Sequence, residues 1–81
     1  MFAPILSKLS PSANFVYYVL NRLGPMPRYR ILDETKLPDR TVGYALETLL
    51  RYGLVDRMSD EKDARLRIYL IPSPVNYYKN D

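Results

Sequence analysis

The chain has 81 residues, a formal net charge of +3, no cysteine and no histidine. That length suits one domain rather than two, and the missing residue types exclude disulfides, thiolate metal sites and the commonest general base. The charge is uneven: residues 1–32 hold four bases and no acid, while residues 33–50 hold four acids against two bases, so a basic surface forms only where the fold makes bases converge.

The N-terminal MFAPILSKL lacks the basic start and long apolar run of a signal peptide. No stretch approaches the ~20 apolar residues of a membrane span. The expectation is a cytoplasmic single domain over residues 1–81, with an apolar segment at 1–9, a core at 10–71, a tail at 72–81 and no membrane partner.

Ser10-Pro11 reads as a helix start, with serine as N-cap and proline pre-set for the first turn. Val16, Val19, Leu20 and Leu23 form an apolar stripe facing a core, and Gly24-Pro25 ends the helix. Met26-Pro27 is expected to open a second, shorter helix with Ile31, Leu32 and Thr35 inward and Leu37 plugging the turn behind it. Pro38 disfavours helical geometry at Leu37. A third helix then begins at Pro38 or Asp39. It places Val42, Leu46, Leu49 and Leu50 on one face and Arg40, Tyr44, Glu47 and Arg51 on the other, with Gly53 as the residue past its end. Glu47 and Arg51 stand at i, i+4 with the acid first, the favourable order for a helix pair.

Leu54 to Met58 reads as a strand, Ser59 to Ala64 as a hairpin connection, and Leu66 to Ile71 as the return strand, which Pro72 and Pro74 stop. Two helices joined by a tight turn form a helix-turn-helix, whose second helix usually enters a DNA major groove. With the preceding helix and the following hairpin, the order predicts an α+β, mostly α, winged helix-turn-helix.

Leu37-Pro38-Asp39-Arg40-Thr41-Val42, Ala45-Leu46, Leu49 and Gly53-Leu54-Val55 resemble the recognition-helix pattern of small archaeal and bacterial winged-helix transcriptional regulators. Asp63-Ala64-Arg65 resembles the Asp-x-Arg of the MarR family, where the arginine typically reaches toward the minor groove and the aspartate helps hold the wing. The resemblance covers about residues 10–71 and implies double-stranded DNA as partner. Lys36 stands where glycine is common, which implies a non-glycine residue at positive φ. The resemblance does not extend to the long helices that build the family's usual dimer and effector pocket, so no effector is assigned.

On that pattern Arg40, Thr41, Gly43 and Tyr44 are the candidate base readers: arginine for guanine O6 and N7, threonine for a phosphate or thymine methyl, glycine for close backbone approach, tyrosine for its hydroxyl and flat face. Arg28, Arg30 and Lys36 are candidates for phosphate contacts. Lys62, Arg65 and Arg67 are the bases of the wing, offset by Asp60, Glu61 and Asp63. Phe2, Ile5, Leu6, Leu9, Phe15, Tyr18, Tyr77 and Tyr78 are the candidate homodimer interface, because an apolar terminus on a small domain needs burial. No cofactor is called for, and an enzyme is disfavoured because no nucleophile–base pair, metal cluster or glycine-rich phosphate loop is present. A protein-interaction adaptor and an RNA- or replication-associated winged helix are the rival functions.

Overall fold

The computed structural model describes residues 8–72. In chain order the elements are α1 (Pro11–Leu23), β1 (Met26–Pro27), α2 (Arg28–Thr35), α3 (Asp39–Arg51), β2 (Asp56–Ser59) and β3 (Arg67–Leu70). The strands form one antiparallel sheet in the order β1-β3-β2.

The first helix starts as its sequence demands. Ser10 is extended and its Oγ accepts the Ala13 N–H at 3.2 Å, with Pro11 at the first helical position. The buried stripe is Ala13, Val16, Tyr17, Val19 and Leu20: Val16, Val19 and Leu20 are core as expected, and Ala13 and Tyr17 extend the stripe toward the N-terminus. Leu23 is 53% exposed rather than core. It is the last residue of α1, and Gly24 turns the chain away with φ +92°.

Met26-Pro27 does not open α2. It forms edge strand β1, with Met26 opposite Tyr69 and Pro27 opposite Ile68. The residue before a proline is pushed out of the helical region, so Pro27 holds Met26 extended, and a strand at the sheet edge tolerates a missing N–H. The helix begins one residue later, at Arg28.

The turn between α2 and α3 is built by two residues. Lys36 adopts φ 60°, ψ 18°, the left-handed geometry expected of it. Buried Thr35 donates its Oγ1–H to the Ile31 carbonyl at 2.8 Å and accepts the Leu37 N–H at 3.3 Å. The helix α3 ends in a Schellman arrangement: Gly53 has φ +74°, its N–H reaches the Leu50 carbonyl, and the Leu54 N–H reaches the Leu49 carbonyl.

The core joins Ala13, Val16 and Leu20 of α1, Ile31 of α2 and Val42, Ala45, Leu46 and Leu49 of α3, closed by Leu9, Met26, Leu54, Val55 and Tyr69. Leu54 and Val55 are core but precede the strand, which starts at Asp56 and runs exposed throughout. On β3 the inward residue is Tyr69, with Ile68 and Leu70 half-buried on the other face. Apolar residues on both faces of that strand hide its orientation from period-two analysis.

Candidate nucleic-acid interface

The exposed arc of α3 carries the candidate base readers. Arg40 is exposed and makes no ion pair with any described residue, and Tyr44 is 75% exposed. Thr41 is half-buried at the edge of this arc nearest α1. A groove of about 300 Å³ runs there, lined by Ser10, Ser12, Arg40, Thr41, Tyr44 and Thr48, with Ala45 as its floor. The groove adds Thr48 and Ser12 to the residues that the sequence pattern points to at this face. Thr48 was legible, since 41, 44, 45 and 48 repeat at helical spacing; Ser12 was not, because its place depends on how α1 packs against α3.

The opposite edge of the arc is occupied. Arg28, the first residue of α2, donates from Nε to Asp39 Oδ1 at 3.2 Å and from NH2 to the Asp39 carbonyl at 2.9 Å, and NH2 lies 3.0 Å from Oδ1. A Cβ built on Gly43 would stand 2.8 Å from the same NH2 and 3.4 Å from the guanidinium carbon. Gly43 thus faces Arg28, not open space. Glu47 shares this side with Arg28 and Arg57, and no ion pair joins Glu47 to Arg51 among the described residues. Both ends of that expected pair are in water, where such a pair gains little.

The other candidate phosphate residues hold local partners. Arg30 pairs with Glu34 and Lys36 with Asp33, each at 3.4 Å. All four side chains are well exposed, so these pairs are weak and exchangeable.

Two of the wing's acids, Asp60 and Asp63, hold the loop together. Asp60 Oδ2 accepts the N–H groups of Lys62 and Asp63 at 3.2 and 3.0 Å, and the Asp60 N–H donates to the Leu66 carbonyl, closing the loop. Asp63 accepts from the Arg65 side chain and backbone. Arg65 beside it lowers the Asp63 pKa, with the side-chain bond the larger cause. Arg67 donates to Ser59 Oγ and the Ala64 carbonyl. The Lys62 side chain makes no ion pair with a described residue.

A family model, described as a winged helix DNA-binding domain, matches residues 9–71. The chain belongs to this winged helix DNA-binding family. It is a family of DNA-binding rather than catalytic domains. No curated protein matches the chain in sequence. Several of the solved structures that it resembles are described as transcriptional regulators. A probable transcriptional regulator from Pseudomonas aeruginosa is 25% identical with TM-score 0.77, the match covering 98% of this chain and 60% of that one. The transcriptional regulator BldR from Sulfolobus solfataricus is 22% identical with TM-score 0.75, over 91% of this chain and 52% of that one. BpsR of Bordetella bronchiseptica, whose DNA binding is regulated by 6-hydroxynicotinic acid, is 21% identical with TM-score 0.74, over 88% and 54%. The chain therefore spans little more than half the length of the regulators it matches.

Within this winged helix domain, the expected dimer residues divide. Leu9 is 7% exposed inside the domain's own core, so it is not an interface residue. Its neighbour Ser10 starts α1, and that cap swings Leu9 under the helix, where the Asn14 side chain donates to its carbonyl at 3.5 Å. Phe15 and Tyr18 are exposed on α1, and the Arg22 guanidinium carbon lies 5.9 Å from the Tyr18 ring centre. Phe2, Ile5, Leu6, Tyr77 and Tyr78 lie outside the described residues. Among the described residues no helix is long and apolar enough to cross a membrane, and no cluster of potential metal ligands occurs.

Proposed function

We propose that the chain binds double-stranded DNA sequence-specifically as a cytoplasmic, homodimeric transcriptional regulator. The observation that carries this reading is the outer arc of α3, where Arg40 and Tyr44 extend into solvent from a helix whose other face is buried. Large donors held out from a rigid helix suit the major groove. Arg40 reads a guanine edge, Thr41 and Tyr44 read its neighbours, and contact stays within the first two turns because Glu47 repels phosphate beyond them. Arg30 and Lys36 exchange their weak carboxylate pairs for phosphates and set the register.

The wing follows with Lys62, Arg65 and Arg67 toward the minor groove, whose narrow stretches attract arginine. Asp63 pairs with Arg65 and fixes its place in the wing, whereas Asp60 and Glu61 keep their charge, so the wing's net attraction to the groove is small. The exposed Phe15–Tyr18 face joins two copies, presenting the recognition helices ~34 Å apart to inverted half-sites. Regulation then works by occupancy, an operator-bound dimer blocking or recruiting polymerase.

Fluorescence anisotropy on a random-sequence duplex at two salt concentrations tests the DNA assignment. Binding at low salt that weakens steeply as salt rises is expected, because each neutralised phosphate releases counterions. No binding at low salt overturns it in favour of a protein-binding adaptor.

A further inference from the structure

Arg28 was expected on phosphate, yet its guanidinium is committed elsewhere. It contacts α3 at the Asp39 carboxylate and the Asp39 carbonyl, and it occupies the space that a side chain at Gly43 would need. Arg28 and Asp39 are the first residues of α2 and α3, so these contacts tie the two helix starts together across the turn. Their side chains are 41% and 73% exposed, a setting in which an ion pair adds little stability. What a planar fork does supply there is geometry, since its donors are fixed relative to one another.

Gly43 points the same way. Glycine is a poor residue for a helix interior, and α3 carries it at its fifth position. Any side chain at 43 would meet the guanidinium at 2.8 Å. The far end of an arginine can move aside, so the cost of a methyl group falls on the Asp39 contacts and not on the fold. The clamp also neutralises Asp39, a carboxylate next in sequence to Arg40, on a surface that must approach phosphates.

We propose that Arg28 is a positioning residue for base reading: through Asp39 and the bare face of Gly43 it sets the rotation and depth of α3, and it makes no phosphate contact. The assignment rests on the DNA-binding reading above. The test uses the full chain and two probes, a duplex selected from a random pool by the unmodified protein and a random-sequence duplex of equal length. Selectivity is the ratio of the two affinities, and circular dichroism follows helix content.

Arg28→Lys keeps the charge but loses the fork, and Gly43→Ala displaces it. Each is expected to lower selectivity by about fivefold or more with helix content unchanged, while the pair Arg28→Ala/Gly43→Ala falls within about twofold of Arg28→Ala alone, as residues acting through one contact are not additive. Retained selectivity in Arg28→Lys would mean that charge alone matters and overturns the proposal. So would losses that multiply in the double variant, which would place Gly43 against DNA rather than against Arg28. If the unmodified chain binds neither duplex, the DNA reading itself has failed and takes this assignment with it.

Discussion

Asp63 holds Arg65 from two directions, its Oδ1 accepting the arginine's backbone N–H at 3.1 Å and its Nε–H at 3.2 Å. The arginine side chain lowers the aspartate's pKa, helped by the backbone bond and opposed slightly by desolvation. A carboxylate whose folded pKa lies below its unfolded one adds order above the unfolded value and loses it as pH falls through the folded value. At neutral pH Asp63 is therefore ionised and available to accept both Arg65 bonds. In an acid titration followed by NMR, the Arg65 amide and Nε signals should move together, at a pH below the ordinary aspartate midpoint. Arg65→Ala should move the Asp63 midpoint upward. A midpoint already ordinary with Arg65 present refutes the pairing.

Lys36 separates stability from binding. A left-handed conformation costs an L-residue about 1–2 kcal/mol, and glycine there gives back roughly 0.5–1 kcal/mol through its freer unfolded chain. Its exposed pair with Asp33 adds little. Lys36→Gly should therefore raise unfolding stability by about 0.5–1 kcal/mol in urea. The same variant should weaken every duplex and reduce the salt slope by roughly 0.9, the signature of one lost phosphate contact. Unchanged binding would remove Lys36 from the interface.

Local chemistry made much of this fold legible. Ser10-Pro11, the left-handed Lys36 and the Gly53 terminus each act within a few residues, and each stands where its chemistry placed it. Val42, Leu46 and Leu49 are equally local, being one face of one helix. Some failures are local, as at Leu23 on the last turn of α1 and in the unformed Glu47–Arg51 pair, but the larger ones are relations between distant segments. Met26 is extended because of Pro27, but it is a strand only because Tyr69 lies opposite, and nothing near Met26 announces that partner. Tyr69 itself is the inward residue of a strand that is apolar on both sides. Gly43 invited a reading against DNA, and only the fold brings Arg28 over it. Leu9 was one apolar residue in an apolar terminus until α1 placed it in the core.

Leu9 and Tyr18 consequently predict opposite phenotypes. Leu9 is buried, and truncating a buried leucine costs about 2–5 kcal/mol, so Leu9→Ala should lower the unfolding midpoint sharply. Tyr18 is 54% exposed, so Tyr18→Glu should change the stability of the isolated domain by no more than about 0.5 kcal/mol. It should, however, shift sedimentation to the monomer mass, because a carboxylate would be trapped in an apolar interface. An unchanged mass in Tyr18→Glu refutes the α1 face as the joint between copies.

Arg40 and Arg30 distinguish reading from gripping. Arg40 has no ion-pair partner among the described residues to give up, and a bidentate arginine–guanine contact discriminates against the wrong base by about 1–3 kcal/mol. Arg40→Ala should therefore lose affinity mainly for the selected duplex. A fresh selection with that variant should return a site degenerate at one base pair of each half. Arg30 must leave Glu34 to reach a phosphate, and phosphate carries no sequence. Arg30→Ala should weaken selected and random duplexes alike and flatten the salt dependence. If the two variants give the same selected site and the same salt slope, neither residue has the role assigned to it, and base reading must come from the Thr41–Thr48 edge of the helix.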